Sequence, residues 1–475
     1  AGEPGKADAD LTALLTAQPG SAKTLLLRAR CRISLGKTAA ALADFDAAVA
    51  AEPDDLGLRA ERAAYLSKAG RPAEALADYS FLIAQKPNDS VLYPERAACY
   101  IALGRDAEAV SDFEAALAHG LSNESLYFLR GQCYARLGNS NKAIADYTTV
   151  LQEFKPTAEA YTCRAEAFAG QKPPVLRQAM ADYDAALGLD QGFARAYCGR
   201  ADCLVRQRRP EQAIVDYTQA LKLEWQPTYV LVERARCHVT AERYAQAIAD
   251  CTEALGHDAH SLDALACRAA CNMELQQYAD AVADCTTILQ SSPDDLTALT
   301  CRAQGLAALD KDEEAAADCT AILRDHPNEL ATRLLRSRCY VSLQRYDDAI
   351  QDCSLVLRAD RRSFEACLRR AECQTKLGRL NLALEDYTTL LALHPKDPSL
   401  YLARAAVHLA NSDSGKALAD YTAAIKAKDN AEARYRRASL YQGAGELDKA
   451  KADAVRSREL GFMEDPLGVY KRLGL

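Results

Sequence analysis

Apolar and polar positions along this chain recur with a helical period, and the helical stretches come in pairs. Residues 22–55 illustrate the unit. Apolar and small residues three and four apart predict a first helix over roughly Ala22–Leu35. Gly36-Lys37 marks a turn, and a second helical pattern covers Ala39–Ala51. Pro53 then ends it, because proline has no amide proton to give the preceding turn. No stretch asks for a strand.

The unit then repeats down the chain. An aspartate, usually followed by an aromatic residue or cysteine, falls at Asp44, Asp78, Asp112, Asp146, Asp182, Asp216, Asp250, Asp284, Asp318, Asp352, Asp386, Asp420 and Asp453. Successive steps are 34 residues, except 36 into Asp182 and 33 into Asp453. The two extra residues are expected in the turn around Lys172-Pro173-Pro174, and the shortfall in the loop near Lys428. One period before Asp44 lies Asp10, so residues 1–21 read as the second helix of a truncated leading repeat. Residues 22–460 read as an array of about 13 antiparallel helix pairs, and 461–475 as a short capping tail. The expected fold is therefore an all-α solenoid. Hairpins this small cannot bury their apolar faces alone, so stability must come from neighbour stacking.

Small residues recur where paired helices must approach closely, such as Ala29, Ala63 and Ala97 in first helices and Ala41, Ala75 and Ala109 in second ones. Together with the 34-residue period, the tyrosines after aspartate (Tyr79, Tyr147, Tyr183, Tyr217) and the loop prolines (Pro53, Pro87, Pro293, Pro327, Pro395), this resembles the tetratricopeptide repeat family. Segments such as Arg96-Ala97-Ala98-Cys99-Tyr100 and Ala249-Asp250-Cys251 are similar to repeats of chaperone-organising co-chaperones. The resemblance implies a right-handed superhelix whose concave wall is lined by first helices. It does not carry the relatives' ligands across. The slots of the chaperone-binding carboxylate clamp hold Leu26 and Arg30, Ala60 and Ala64, Pro94 and Ala98, and Phe128 and Gln132. The slot of the glycosyltransferase asparagine ladder holds Leu27, Glu61, Glu95, Leu129, Cys163 and Gly199.

An arginine ladder accompanies the aspartates. Its members include Arg28, Arg234, Arg268, Arg302 and Arg336, most of them 16 residues before an aspartate and eight on either side of the turn. Antiparallel helices place such residues at one height. The expectation is a structural Arg–carboxylate pair in each hairpin, with Arg234–Asp250, Arg268–Asp284 and Arg302–Asp318 as central examples, and not a basic track for an acidic ligand. An apolar row of Ile33, Ile101, Val205, Val239, Met273, Val341 and Leu409 is the candidate groove for an extended or helical peptide, with helix–helix packing as its alternative role.

Composition narrows the function. The chain has 475 residues, is 49% hydrophobic and 26% charged, and carries a net charge of −8, which argues against a nucleic-acid or anionic-membrane surface. No run of 18 apolar residues exists to span a bilayer. The chain opens on Ala1 and not Met, which leaves room for targeting segments ahead of it. Seventeen cysteines at repeat-determined places read as reduced, buried packing residues of a cytoplasmic protein. Cys237/Cys251, Cys271/Cys285 and Cys339/Cys353 recur 14 residues apart, yet without CxxC spacing or matching histidines they do not form a zinc ligand set. No nucleophile–base arrangement stands out, and no metal or cofactor is called for. The expected function is a non-enzymatic scaffold for protein or peptide partners, within a large multiprotein complex. Rival readings are a structural part of a ciliary or cytoskeletal array, a co-chaperone adaptor, and the substrate-reading region of a larger enzyme.

Overall fold

The computed structural model of the chain describes residues 4–475, and among them every regular element is a helix. The chain divides into two compact units, Ala1–Cys237 and His238–Leu475. In the first, α1 (Pro4–Ala17) precedes the hairpins α2 (Ala22–Ser34) with α3 (Thr38–Ala51), α4 (Leu56–Lys68) with α5 (Pro72–Gln85), and α6 (Leu92–Ala102) with α7 (Asp106–Ala118). Next come α8 (Glu124–Arg136) with α9 (Ser140–Glu153), α10 (Ala158–Ala169) with α11 (Leu176–Leu189), and α12 (Ala194–Arg206) with α13 (Pro210–Lys222). Helix α14 (Pro227–Thr240) carries the last residues of this unit.

The second unit holds α15 (Tyr244–His257), then α16 (Leu262–Glu274) with α17 (Tyr278–Ser291), α18 (Leu296–Ala308) with α19 (Asp312–Asp325), and α20 (Leu330–Ser342) with α21 (Tyr346–Ala359). It continues through α22 (Phe364–Lys376) with α23 (Leu380–Leu393), α24 (Pro398–Ala410) with α25 (Ser414–Ala427), and α26 (Ala431–Gly443) with α27 (Leu447–Glu459), to α28 (Val469–Leu473). Within each unit the successive hairpins pack on one another, and first helices also touch across the intervening second helix, as α8, α10 and α12 do, and α16, α18, α20 and α22. Each unit is thus an α solenoid of helix pairs.

Local chemistry sets these boundaries. Several first helices begin on a side-chain cap: Asp55 accepts from the Gly57 and Leu58 amides, Asn123 from Leu126, and Asp295 from Ala298 at 2.7 Å. The small residues are fully enclosed, with Ala29, Ala41, Ala63, Ala75 and Ala97 at 0% exposure. At Gly131 even a methyl is too large, since a Cβ there would stand 2.8 Å from the Tyr147 ring. The 36-residue step lies between α10 and α11, where expected, and the extra residues stay in that turn. The short step lies between α25 and α26, around Lys428–Asn430. At the C-terminal end, Val469, Tyr470 and Leu473 of α28 are buried against Tyr435, Ala438, Ala450 and Ala454. No helix among the described residues is long and apolar enough to cross a membrane.

Candidate functional site

The ladder arginines form a clasp with two arms. Arg268 donates from Nε and Nη2 to the two carboxylate oxygens of Asp284 at 2.9 and 2.7 Å, and Arg302 grips Asp318 in the same way at 2.8 and 2.7 Å. The third nitrogen, Nη1, reaches backwards. It donates to Thr252 from Arg268 and to Thr286 from Arg302, hydroxyls on the preceding second helix. The pattern extends along the chain: Arg28 to Thr12, Arg96 to Ser80, Arg234 to Thr218, Arg336 to Thr320 and Arg404 to Thr388. At Arg62 and Arg200 the backward partner is a carboxylate, Asp46 or Asp184. Across the insertion the clasp persists, with Arg164 holding Asp182 at 2.8 and 2.7 Å. Of the remaining predicted pair, Arg234 lies in the first unit, while Asp250 lies in the second, buried and 3.8 Å from His238 Nε2. The arginine charges are therefore committed within the fold, one guanidinium binding its own repeat and the one before.

The cysteines at the aromatic slot, Cys251, Cys285, Cys319 and Cys353, are buried at 0 to 1% exposure. The thiol neighbours are not confined to the 14-residue spacing. Cys251 and Cys271 both neighbour Cys267, and Cys285 neighbours Cys301. No cluster of three or more candidate ligands that could hold a metal ion occurs among the described residues.

Each unit carries a cleft along its first helices. In the first unit a cavity of about 610 Å³ is walled by Gln132, Ala135 and Arg136 of α8, Cys163, Glu166 and Ala167 of α10, and Arg195 of α12, with Tyr147 and Lys172. In the second, a cavity of about 360 Å³ is walled by Met273 of α16, Thr300, Ala303, Gln304 and Ala308 of α18, and Ala331, Thr332, Leu335 and Arg338 of α20. The registers correspond. Counted from the ladder arginine, Ala135 and Met273 are both five residues on, Glu166 and Gln304 both two on, and Arg195 and Ala331 both five before. Both volumes fall in the range of ligand-binding clefts.

The first unit's cleft is polar. Arg195 donates to both oxygens of Glu166, and Arg136 holds Asp106 through Nε and Nη2. The hydrogen bond from Arg136 keeps the Asp106 carboxyl below the usual range against the opposing effect of burial. A second cavity of about 500 Å³ adjoins, sharing Gly138, Ser140, Gly170 and Lys172. The two-residue insertion supplies its wall. Gln171 reaches Asn141 at 2.6 Å across it, and Arg206 ties down the carbonyl of Ala169 at 2.9 Å. The irregularity of the array thus coincides with the larger of the two first-helix clefts.

The seven candidate groove residues share one register, five after the ladder arginine, but not one environment. Met273 lines the second cleft. Ile101 and Val341 pack against buried hydrophobic clusters. Ile33, Val205 and Leu409 are exposed, and Val239 is half-buried. Sequence reasoning places Arg136 beside the apolar row but misses Glu166 and Arg195, whose one signal was the interrupted period near Lys172.

A family model described as the tetratricopeptide repeat matches residues 1–55, 96–159, 302–364 and 368–431, and a second of the same description matches 194–224. The first alone covers more than half of the chain, and the chain belongs to the tetratricopeptide repeat family. No curated protein sequence matches it. Among solved structures, it is similar to a tetratricopeptide repeat protein of Parabacteroides merdae at 20% identity and a TM-score of 0.38, over 52% of this chain and 98% of that one. Another is YrrB, described as a tetratricopeptide repeat protein with an unusual peptide-binding site, at 21% identity and 0.34, over 38% and 92%. A third is MamA of Desulfovibrio magneticus RS-1, at 19% identity and 0.34, over 36% and 96%.

Proposed function

We propose that this chain is a protein-interaction scaffold that holds partner segments in the first-helix cleft of each unit. The observation that carries the reading is the shared register of the two clefts. Equivalent positions of successive first helices open a cavity in both units, and their side chains differ while the clasp residues behind them stay constant. Repeat proteins bind in this manner, with a uniform frame and a variable wall. The wall of the first cleft carries Arg136, Glu166, Lys172 and Arg195, whereas that of the second carries one charged residue, Arg338, among Met273, Leu335 and other uncharged residues, so the two favour different segments. Our reading is binding without catalysis, and the pairing of Glu166 with Arg195 in the larger cleft supports it. Whether the scaffold serves a soluble adaptor, a fixed ciliary or cytoskeletal array, or the substrate-reading part of an enzyme is decided by what occupies the clefts.

Photo-crosslinking tests the reading. A photoreactive residue at Ala135 or Gln304, exposed positions on the cleft walls, is expected to capture the partner in native extract. The same residue at Ser111 or Glu253, exposed on second helices, is expected to capture little. Equal or stronger capture from the second-helix positions would overturn the assignment.

A further inference from the structure

A third cavity, of about 290 Å³, lies in the second unit among α16, α17 and α18, and two thiols line it. Cys285 is 1% exposed and sits behind Cys301, which is partly exposed. The mouth is kept open by Ala266 and Ala270, both exposed alanines of α16. Helices α17 and α18 pack directly, and they belong to successive repeats.

We propose that Cys301 and Cys285 form a dithiol site, entered through this cavity, that reacts with a small disulfide and closes into an intramolecular disulfide joining α17 to α18. In the first step the Cys301 sulfur, as thiolate, attacks one sulfur of the incoming disulfide. That S–S bond breaks, and one small thiol leaves and takes up a proton. In the second step Cys285 gives up its proton and attacks the Cys301 sulfur of the mixed disulfide, expelling the second small thiol. Two protein thiols are oxidised and one small disulfide is reduced to two thiols.

The chemistry of the pair divides these roles. Cys301 is the partly exposed sulfur of the two and meets an incoming disulfide first, so it is the attacking nucleophile. Burial pushes the Cys285 thiol up, as suits a group that reacts second. Thiols outside such pairs differ. Cys163 lines the large cleft, but burial pushes it up to about 11. Cys339 is fully buried and pushed up to about 12. The product would staple one repeat to the next, turning a stack held by side-chain packing into one locked by a covalent bond.

The test uses the full chain, fully reduced, and bis(2-hydroxyethyl) disulfide as the probe. After quenching, the remaining thiols are alkylated and the digest is read by mass spectrometry. The expected product is a linked peptide containing Cys285 and Cys301. In Cys285→Ala the reaction is expected to stop at a mixed disulfide on Cys301. In Cys301→Ser, modification of Cys285 is expected to slow by roughly tenfold or more. Cys301→Ala provides the same comparison should the serine disturb folding, as judged by helicity. Modification of Cys301 no faster than that of Cys339, or a dominant bridge between other cysteines, would overturn the proposal.

Discussion

The arginine clasp sets much of the energetics at the scale of single residues. Asp284 receives one guanidinium, from Arg268. Asp352, 2% exposed, receives two, from Arg336 and from Arg333 at 3.1 Å. Removing one partner of a buried pair strands the other charge in a poorly solvated site. Asp352→Ala, which strands two arginines, is expected to destabilise its repeat by about 3–5 kcal/mol, and Asp284→Ala by less. Amide hydrogen exchange over α20 and α21 reads the first, and over α16 and α17 the second. An Asp352→Ala chain whose exchange matches the parent's would refute the structural role. The forward arm was legible from the 16-residue spacing, because antiparallel helices leave few other heights at which the two side chains could meet. The backward arm was legible too, and went unread. Thr218, Thr252, Thr286, Thr320 and Thr388 each stand two residues after a ladder aspartate, but a hydroxyl has no charge to announce a partner.

Between elements, the hairpin turn is the point of strain. Gly36, Gly70, Gly104 and Gly138 sit at one turn position with φ of 70 to 74°, where glycine costs nothing sterically. In later repeats the same position holds Arg208, Glu242, Gln276, Asp310, Gln344 and Ser412, still at φ of 57 to 60°. A side chain there pays for the left-handed conformation. Gln344→Gly is expected to stabilise the α20–α21 hairpin by about 0.5–1 kcal/mol, the relief of that conformation less glycine's greater freedom when unfolded. A measurably lower denaturation midpoint for Gln344→Gly would contradict this. The helix boundaries themselves were read from the sequence to within a residue: α2 ends at Ser34 where Leu35 was expected, and α3 starts at Thr38 where Ala39 was. The turn conformation was not, because half of these turns lack the glycine that marks it.

For the whole molecule, the consequence of neighbour-only packing is graded stability. Contacts join each helix to those one and two places along within its unit, so no single core must fail at once. Thermal unfolding followed by calorimetry is expected to show a calorimetric enthalpy well above the van't Hoff value, as in other repeat arrays. Agreement between the two would point to one cooperative body instead. The all-α solenoid and its period were fully readable from the chain. The clefts were not. Their walls combine residues from three successive first helices, such as Gln132, Glu166 and Arg195, and no pattern within one repeat shows which of them will share a cavity.

Because most ladder arginines grip one residue 16 ahead and one 16 behind, those rungs are interchangeable. Loss or duplication of a complete module inside a unit rejoins a guanidinium to a carboxylate ahead and, at most rungs, to a hydroxyl behind in the register it left. Such a lineage can therefore lengthen or shorten by recombination, gaining or shedding clefts, without inventing a new joint.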